Sequence, residues 1–146
     1  MKKISIIIPA HNEEQNVALI HQRIKEVFST LENYRFEIIF VNDGSRDQTQ
    51  AKIEELSQQF EEIKYIEFSR NFGHQPAVKA GMDASNANAI ISMDADLQHP
   101  PELIPELIKK WEEGFDIVYT IRTYPNQISA CERTDWSLYS RFLSSL

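Results

Sequence analysis

The sequence predicts an α/β fold in which a mostly parallel sheet is covered by helices on both faces. Apolar runs of strand length alternate with longer stretches in which apolar residues recur every three or four positions. The stretch between successive strands is long enough to hold a helix, which a parallel connection requires. Clusters of polar residues, glycine and proline separate the runs. These observations predict the element order βαβαβαβαβ.

The first βαβ unit has the clearest pattern. Residues 4–8 are rich in isoleucine, and Pro9 is expected to end that strand because proline has no N–H to give a sheet. Apolar residues from Asn16 onward recur at helical spacing, and Asn12 is a candidate cap for this helix. Residues 36–41 form a nearly continuous apolar run, which is typical of a strand covered on both faces.

The same alternation continues along the chain. Helical spacing is found over residues 48–60, 72–84 and 103–111, and strand-like runs over residues 63–68, 89–93 and 117–121. Pro100 and Pro101 open the last of these helices, where the first N–H groups have no helical partner, and Gly114 ends it. We place His21 on the surface of the first helix.

Composition excludes several classes of protein. The 22 acidic and 15 basic side chains give a net charge of −7, and no basic surface for nucleic acid is evident. The single cysteine, Cys131, cannot form an internal disulfide. The run at residues 4–8 is too short for a signal-peptide core or a membrane span. We therefore expect the chain as given to be soluble, in a reducing compartment and without a nucleic-acid partner.

The end of the chain has a different pattern. Residues 122–134 show no clear period, and the apolar residues of the following stretch share one helical face up to the last residue, Leu146. This pattern predicts a fold that is incomplete at its C-terminal end, with a first domain over residues 1–122. Residues 123–146 would begin a further segment with a terminal amphipathic helix, which either lies near a membrane or packs back onto the sheet.

Polar clusters follow every predicted strand, and ligands of open parallel sheets bind beyond the carboxyl ends of the strands. Asp94 and Asp96 come directly after a buried strand, and carboxylates this close repel each other unless they are solvated or bridged by a cation. Oxygen donors suit Mg²⁺ or Mn²⁺, with phosphate oxygens of a ligand completing the shell. Aspartates at this position also cap turns. Gln98 and His99 on the same loop favour the metal.

Two other acidic residues have two interpretations each. Asp43 lies before a glycine and fits an ordinary turn, but its carboxylate also suits a ribose hydroxyl or a base N–H. Glu13 lies near a helix N-terminus, where the helix dipole favours an acidic residue whatever its function. We expect Ser45, with Asp47 and Thr49 close by, to cap the second helix.

The familiar phosphate loops are absent from the sequence. No Gly-x-Gly-x-x-Gly follows the first strand, and no Gly-x-x-x-x-Gly-Lys occurs in the chain. The four histidines have no spacing typical of a zinc site. A dinucleotide-binding fold of the NAD type, a phosphate-loop NTPase and a zinc enzyme are therefore disfavoured.

Four segments carry a resemblance to a known family. They are residues 6–14 (IIIPAHNEE), 41–45 (VNDGS), 69–75 (SRNFGHQ) and 93–102 (MDADLQHPPE). In this order and spacing they resemble the family 2 glycosyltransferases, and within them the polyprenyl-phosphate sugar transferases of the dolichol-phosphate mannose synthase and undecaprenyl-phosphate glucosyltransferase type. The resemblance covers residues 3–122. It implies the type A glycosyltransferase fold, with a Rossmann-like nucleotide-sugar domain over residues 1–122 and the start of an acceptor-side segment over residues 123–146.

The resemblance also implies roles for individual residues. The nucleotide pocket would be lined by Pro9, His11, Glu13, Val41, Asp43 and Asp94. The metal would be held by Asp94, Asp96 and Gln98. Asp94, Asp96 and Arg122 would be the catalytic set, with Arg122 matching a family arginine near the phosphates. The sequence departs from the family at Asn42, where a second Asp is frequent, and at His11, where Tyr is commoner; the imidazole can still stack on a base.

The implied function is the metal-dependent, inverting transfer of a hexose from a UDP- or GDP-sugar, with UDP preferred, to a polyprenyl phosphate or glycan acceptor in cell wall or glycan biosynthesis. A lipid phosphate is ionised at neutral pH and needs no strong general base. Arg70, Arg122 or Arg133 would offset its charge. A hydroxyl acceptor would need a carboxylate base, for which Asp135 is a poor candidate.

The resemblance places the whole protein at the cytoplasmic face of a membrane, and it leaves a homo-oligomer open. The alternative is a truncated donor-binding module that holds nucleotide and metal and transfers nothing.

Overall fold

The computed structural model describes residues 1–121. The elements are β1 (Lys2–Ala10), α1 (Val17–Phe28), β2 (Tyr34–Asn42), α2 (Thr49–Gln59), β3 (Ile63–Glu67), α3 (His74–Ala84), β4 (Ala89–Ser92), a 3₁₀ turn (Pro101–Leu103) and α4 (Ile104–Glu112). The four strands form one parallel sheet in the order β3-β2-β1-β4. This confirms the predicted α/β class with a parallel sheet.

The sheet is buried on both faces because its central strands are apolar on both. Ile6, Ile7 and Ile8 of β1 are completely buried although successive side chains point to opposite faces. On one face Ile7 packs with Val41 and with Ala77 of α3. Helices α1 and α2 contact each other and β2, and they supply their own buried apolar residues. Continuous apolar strands are therefore explained by helices on both sides.

The close contact of α3 with the sheet depends on Gly81. A Cβ at this position would lie 2.3 Å from Cγ2 of Ile7 and 3.2 Å from Cγ2 of Val41. Because no side chain intervenes, the helix axis approaches β1 and β2 closely. This packing fixes where the first residue of α3, His74, lies at the end of the sheet.

The prediction that Pro9 ends the first strand was wrong, because β1 continues to Ala10. Pro9 stays in register with Val41 of β2. The last bond to the β4 side runs from the Met93 N–H to the Ile7 carbonyl (3.1 Å). Alternate residues of a strand direct their backbone groups to the same side, so the missing N–H of Pro9 falls on that β4 side. Pro9 therefore ends one ladder and leaves the other intact.

The predicted fifth strand over residues 117–121 is also wrong, since these residues are in no strand. Ile117 is 75% exposed and Ile121 is 58% exposed. Apolar, β-branched composition makes a strand only where a neighbour bonds the backbone and covers the side chains. The apolar run at residues 117–121 has neither the ladder nor the burial.

Two smaller predictions about the first helix are corrected. Helix α1 begins at Val17 with Asn16 before it, so Asn12 is not its cap. Asn12 instead has a positive φ of 58° and accepts the Arg46 N–H at its Oδ1 (2.9 Å). His21 is buried rather than on the surface, with its ring centroid 4.4 Å from that of Phe60. Its Nε2 lies 3.3 Å from Oε1 of Glu62.

A charged network closes the sheet at the amino ends of its strands. Glu37 of β2 is buried, accepts Ser5 Oγ (2.5 Å) and pairs with Lys3 Nζ (2.7 Å) and Lys64 Nζ (2.8 Å). Ser85, just after α3, donates in turn to Ser5 Oγ (2.7 Å). Burial alone would raise the pKa of Glu37, but the hydrogen bonds from Lys3, Lys64 and Ser5 lower it to about 2.

The chain divides into two compact units, residues 1–109 and 110–146. The first holds the whole sheet. Among residues 1–121, no helix combines the length and apolar character needed to cross a membrane.

We expect Glu37 to make the fold sensitive to acid. Its pKa is lowered from 4.5 to about 2 on folding, so its contribution is complete above pH 5 and is lost as the pH falls towards 2. The shift corresponds to about 3 kcal/mol. Denaturant unfolding of the wild type and Glu37→Gln at pH 7, 5, 4 and 3 should show the difference between them shrinking as the pH falls. Parallel profiles would contradict this assignment.

Candidate functional site

A polar cleft opens at the carboxyl ends of β1, β2 and β4. This is the edge where parallel strands place their loops and where the sequence predicts the ligand. The cleft is lined by Pro9, Ala10, His11, Glu13, Asp43, Asn71, Gly73, His74, Asp94, Ala95 and Asp96. The lining residues come from loops that are far apart in sequence, and the parallel topology brings these loops to one edge of the sheet.

The loop after β1 is held by the loop after β2 through side-chain to backbone hydrogen bonds. The N–H groups of residues 12, 13 and 14 donate to Ser45 Oγ (2.9 Å), Thr49 Oγ1 (2.8 Å) and Asp47 Oδ2 (3.3 Å). Burial would raise the pKa of Asp47, but hydrogen bonds from Thr49 and from the Glu14 N–H lower it.

The prediction that Ser45 caps α2 was wrong, because its hydroxyl accepts the Asn12 N–H of the neighbouring loop. Asp47 accepts the Thr49 N–H (3.0 Å), so it does cap the first turn of α2. Ser45 and Thr49 instead hold the neighbouring loop. Together they fix the loop that carries His11 and Glu13.

Asp43 holds the loop between β3 and α3. It is 4% exposed, and its Oδ1 and Oδ2 accept the N–H groups of Phe72 (2.7 Å) and Gly73 (2.9 Å). The adjacent Gly44 has φ +63°, and a Cβ there would lie 2.4 Å from the Arg70 carbonyl carbon. A buried carboxylate and a glycine contact therefore lock two loops together.

His11 is oriented by the same turn. Its Nδ1 lies 2.7 Å from the Asp43 carbonyl oxygen. A carbonyl oxygen can only accept, so Nδ1 carries the hydrogen and Nε2 of a neutral ring is the acceptor. The exposed ring thus offers a flat face and an acceptor nitrogen to the cleft.

The loop after β4 places two carboxylates in the cleft. Asp94 Oδ1 lies 2.8 Å from Nε2 of His74, and the Asp94 N–H donates to Nδ1 of His99 (3.3 Å). Asp96 Oδ1 accepts the Gln98 N–H (3.0 Å). Leu97, between them, has a positive φ of 62°, which turns the loop sharply.

The donor set suits a divalent cation that also binds a ligand. Asp94 and Asp96 line one cleft, and carboxylate oxygens are preferred by Mg²⁺ and Mn²⁺. Residues 1–121 bring no three His, Cys, Asp or Glu side chains close enough to form a complete cage. A cation here would take its remaining ligands from water or from phosphate oxygens.

The lining of the cleft is rich in negative charge. Four carboxylates line it, those of Glu13, Asp43, Asp94 and Asp96, and no lysine or arginine of residues 1–121 does so. An anionic ligand would be repelled by this lining unless a cation bound with it.

The structure brings most of the predicted site residues together, and a few lie elsewhere. Pro9, His11, Glu13, Asp43, Asp94 and Asp96 all line the cleft. Val41 does not, because it is fully buried in the core between the sheet and α3. Gln98 is on the same loop but outside the lining. Arg122, Arg133, Asp135 and the predicted terminal helix lie outside the described residues.

Sequence reasoning gave no role to Asn71 and His74, which also line the cleft. Both belong to the polar segment after β3, at the same sheet edge as the predicted site. The sequence offered one signal for them: side chains that can donate a hydrogen bond lie at the start of a helix on that edge. What the sequence did not show is that this loop reaches across the end of β2 towards β4.

Comparison with known proteins identifies the family. The model of Glycosyl transferase family 2 matches residues 5–142. The chain is 46% identical over 143 residues to "Uncharacterized glycosyltransferase YkcC" of Bacillus subtilis (strain 168), covering 97% of this chain and 44% of that protein. It is 42% identical over 121 residues to "Prophage bactoprenol glucosyl transferase homolog" of Escherichia coli (strain K12), covering 83% and 39%. The chain thus spans less than half the length of these curated relatives.

A solved structure shares the fold. The mannosyltransferase PcManGT from Pyrobaculum calidifontis, in complex with GDP-Man and Mn²⁺, matches with a TM-score of 0.58 and 18% identity. The match covers 74% of this chain and 32% of that protein. This likeness confirms the predicted type A glycosyltransferase fold.

We expect Gly44→Ala to disrupt the contact between the two loops. Its Cβ would meet the backbone of Arg70 and Asn71, which cannot move aside as a flexible side chain does. Backbone strain and overpacking together should lower the free energy of unfolding by about 2–4 kcal/mol. Amide hydrogen exchange should rise at residues 69–73, because the loop is displaced.

The matched control for this variant is Gly114→Ala. Gly114 also has a positive φ, of +100°, but a Cβ added there would have no atom of the described residues within 4 Å. It should cost only about 1 kcal/mol, from backbone strain alone. Equal losses of stability in the two variants would show that the loop contact is unimportant.

Proposed function

This chain belongs to glycosyl transferase family 2, and from that premise we propose that it supplies the donor-binding part of a hexosyltransferase. The donor is a nucleotide diphosphate sugar, with UDP preferred over GDP. The acceptor is a polyprenyl phosphate, and Mg²⁺ or Mn²⁺ binds together with the donor. The transfer inverts the anomeric centre.

The observation that carries this proposal is the charge of the cleft. Four carboxylates line it without a lysine or arginine from residues 1–121. A nucleoside diphosphate is itself an anion, so the two would repel each other. Asp94 and Asp96 would hold a divalent cation, which would remove that conflict and offset the charge that develops on the leaving group.

The residues of the cleft divide into two groups under this proposal. His11, Glu13, Asp43 and Asn71 lie around the ends of β1 and β2 and would receive the base and ribose. Asp94 and Asp96 lie after β4 and would hold the cation and the diphosphate. Asp43 has both carboxylate oxygens engaged by the loop after β3, so it orients the base side of the cleft even without touching the ligand.

The chemistry of the transfer needs few groups from the protein. An ionised phosphate oxygen of the acceptor attacks the anomeric carbon, and the bond from that carbon to the diphosphate oxygen breaks. The electron pair leaves with the nucleoside diphosphate. The acceptor oxygen carries no proton at neutral pH, so no general base is required. The protein contributes orientation of the donor and electrostatic stabilisation of the leaving group.

The acceptor class is supported by the relatives. The Escherichia coli protein named as a bactoprenol glucosyl transferase homolog is 42% identical over 121 residues, and that stretch includes most of this chain. A lipid acceptor also implies that the whole protein acts at the cytoplasmic face of a membrane. We assign residues 1–122 to the donor, with Arg122 near the phosphates, and residues 123–146, with Arg133, to the side of the acceptor.

We expect Asp96→Ala to abolish the metal-dependent part of nucleotide binding while leaving the fold intact. Asp96 is exposed, so its removal leaves no cavity. Isothermal titration with UDP should show Mn²⁺ strengthening binding to the wild type and not to the variant. The exposed Glu61→Ala serves as a control that removes the same charge elsewhere. Undiminished Mn²⁺ enhancement in a folded Asp96→Ala protein would refute the metal assignment.

A transfer assay tests the activity itself. The chain is incubated with UDP-glucose, Mn²⁺ and undecaprenyl phosphate, and the glycolipid is followed by chromatography. Product formation is the expected result. Metal-dependent UDP binding without product would instead support a donor-binding module that performs no transfer.

A further inference from the structure

We propose that His74 is a positioning residue: the hydrogen bond from its Nε2 holds the Asp94 carboxylate in place and thereby strengthens the binding of a divalent cation with the nucleotide. This inference rests on the proposed function. It concerns a residue to which the sequence reasoning gave no role.

His74 is itself held firmly. It is the first residue of α3 and follows Gly73, whose positive φ of +100° turns the chain into the helix. The N–H of Gly73 is bonded to the buried carboxylate of Asp43 (2.9 Å). The body of α3 is packed on β1 and β2 through Ala77 and Gly81. The imidazole therefore stands on a rigid support between the ends of β2 and β4.

The contact with Asp94 has a defined direction. The carboxylate of Asp94 can only accept, so Nε2 of His74, 2.8 Å from Oδ1, is the donor. His99 plays a different part: its Nδ1 accepts the Asp94 N–H (3.3 Å), so it cannot also donate to Oδ2, 3.4 Å away. His74 is thus the histidine that orients the side chain of Asp94, whereas His99 holds its backbone.

The side chain of Asp94 needs such a partner. It is 40% exposed, so packing does not fix its rotamer. Carboxylates that bind metals are commonly held by outer hydrogen bonds, and removing the outer partner weakens metal binding. While Nε2 of His74 donates to Asp94, it has no lone pair for a cation. Through Nε2, His74 therefore acts on the cation by way of Asp94.

The test compares UDP binding with and without Mn²⁺ by isothermal titration of the 146-residue chain. In His74→Ala, the strengthening of UDP binding by Mn²⁺ should fall about tenfold. UDP binding without Mn²⁺ should weaken much less than this, whereas a general loosening of the cleft would weaken both alike. Gln75→Ala, an exposed neighbour in the same turn of α3, should behave like the wild type.

A conservative variant provides the rescue. In His74→Gln, the amide nitrogen is separated from Cα by the same number of bonds as Nε2 of histidine, so it can donate to Asp94. The Mn²⁺ effect should return to within about twofold of the wild type. Equal losses in His74→Ala and His74→Gln would overturn the positioning role, and so would an undiminished Mn²⁺ effect in His74→Ala.

A double-mutant cycle separates this inference from the proposed function. Asp94→Asn should weaken the Mn²⁺ effect, and adding His74→Ala should then change little, because both act on one carboxylate. Additive losses would overturn the inference alone. If Mn²⁺ fails to strengthen UDP binding to the wild type, the proposed metal site and this inference both fall.

Discussion

The buried carboxylate of Asp43 is the interaction on which the arrangement of the cleft depends. It stands at the end of β2 and accepts two backbone N–H groups of the loop after β3. Hydrogen bonds to a carboxylate are stronger than those between neutral groups, and burial protects them from competition by water. Since α3 begins directly after this loop, the carboxylate also determines where His74 stands. Asp43 at one side of the cleft and Asp94 at the other are therefore connected through the start of α3.

The acidic side chains at the two ends of the sheet differ in whether they are paired with basic side chains. At the amino ends, Glu37 is neutralised within the protein by Lys3 and Lys64, so that end is complete without a ligand. At the carboxyl ends, the carboxylates of the cleft lack such partners from lysine or arginine among residues 1–121. Acidic side chains thus stabilise the fold at one end and line the cleft at the other.

The sequence was sufficient for the four strands of the sheet, for the helices and for the sheet edge at which the cleft lies. Long apolar periods fix the type of an element, and a parallel topology gathers all strand ends at one edge. Contacts between distant segments could not be predicted from the sequence. Asp43 has the local pattern of a turn, yet its partners are 29 and 30 residues away. The prediction that His21 lies on the surface was wrong for the same reason, because Phe60 and Glu62 cover it from another part of the chain. Residues 117–121 have strand composition, but composition does not supply a neighbour.

The imino nitrogen of Pro9 has a consequence for the shape of the cleft. Strands β1 and β4 are joined as far as the bond between Met93 and Ile7, and the next position on that side of β1 is Pro9. Any other residue would carry an N–H there, which could form one more backbone hydrogen bond between β1 and β4. The point at which β1 and β4 separate is thus set by the covalent structure of Pro9 rather than by side-chain packing. Pro9 thereby separates the ends of β1 and β4 at the edge where Pro9, Asp94 and Asp96 line the cleft.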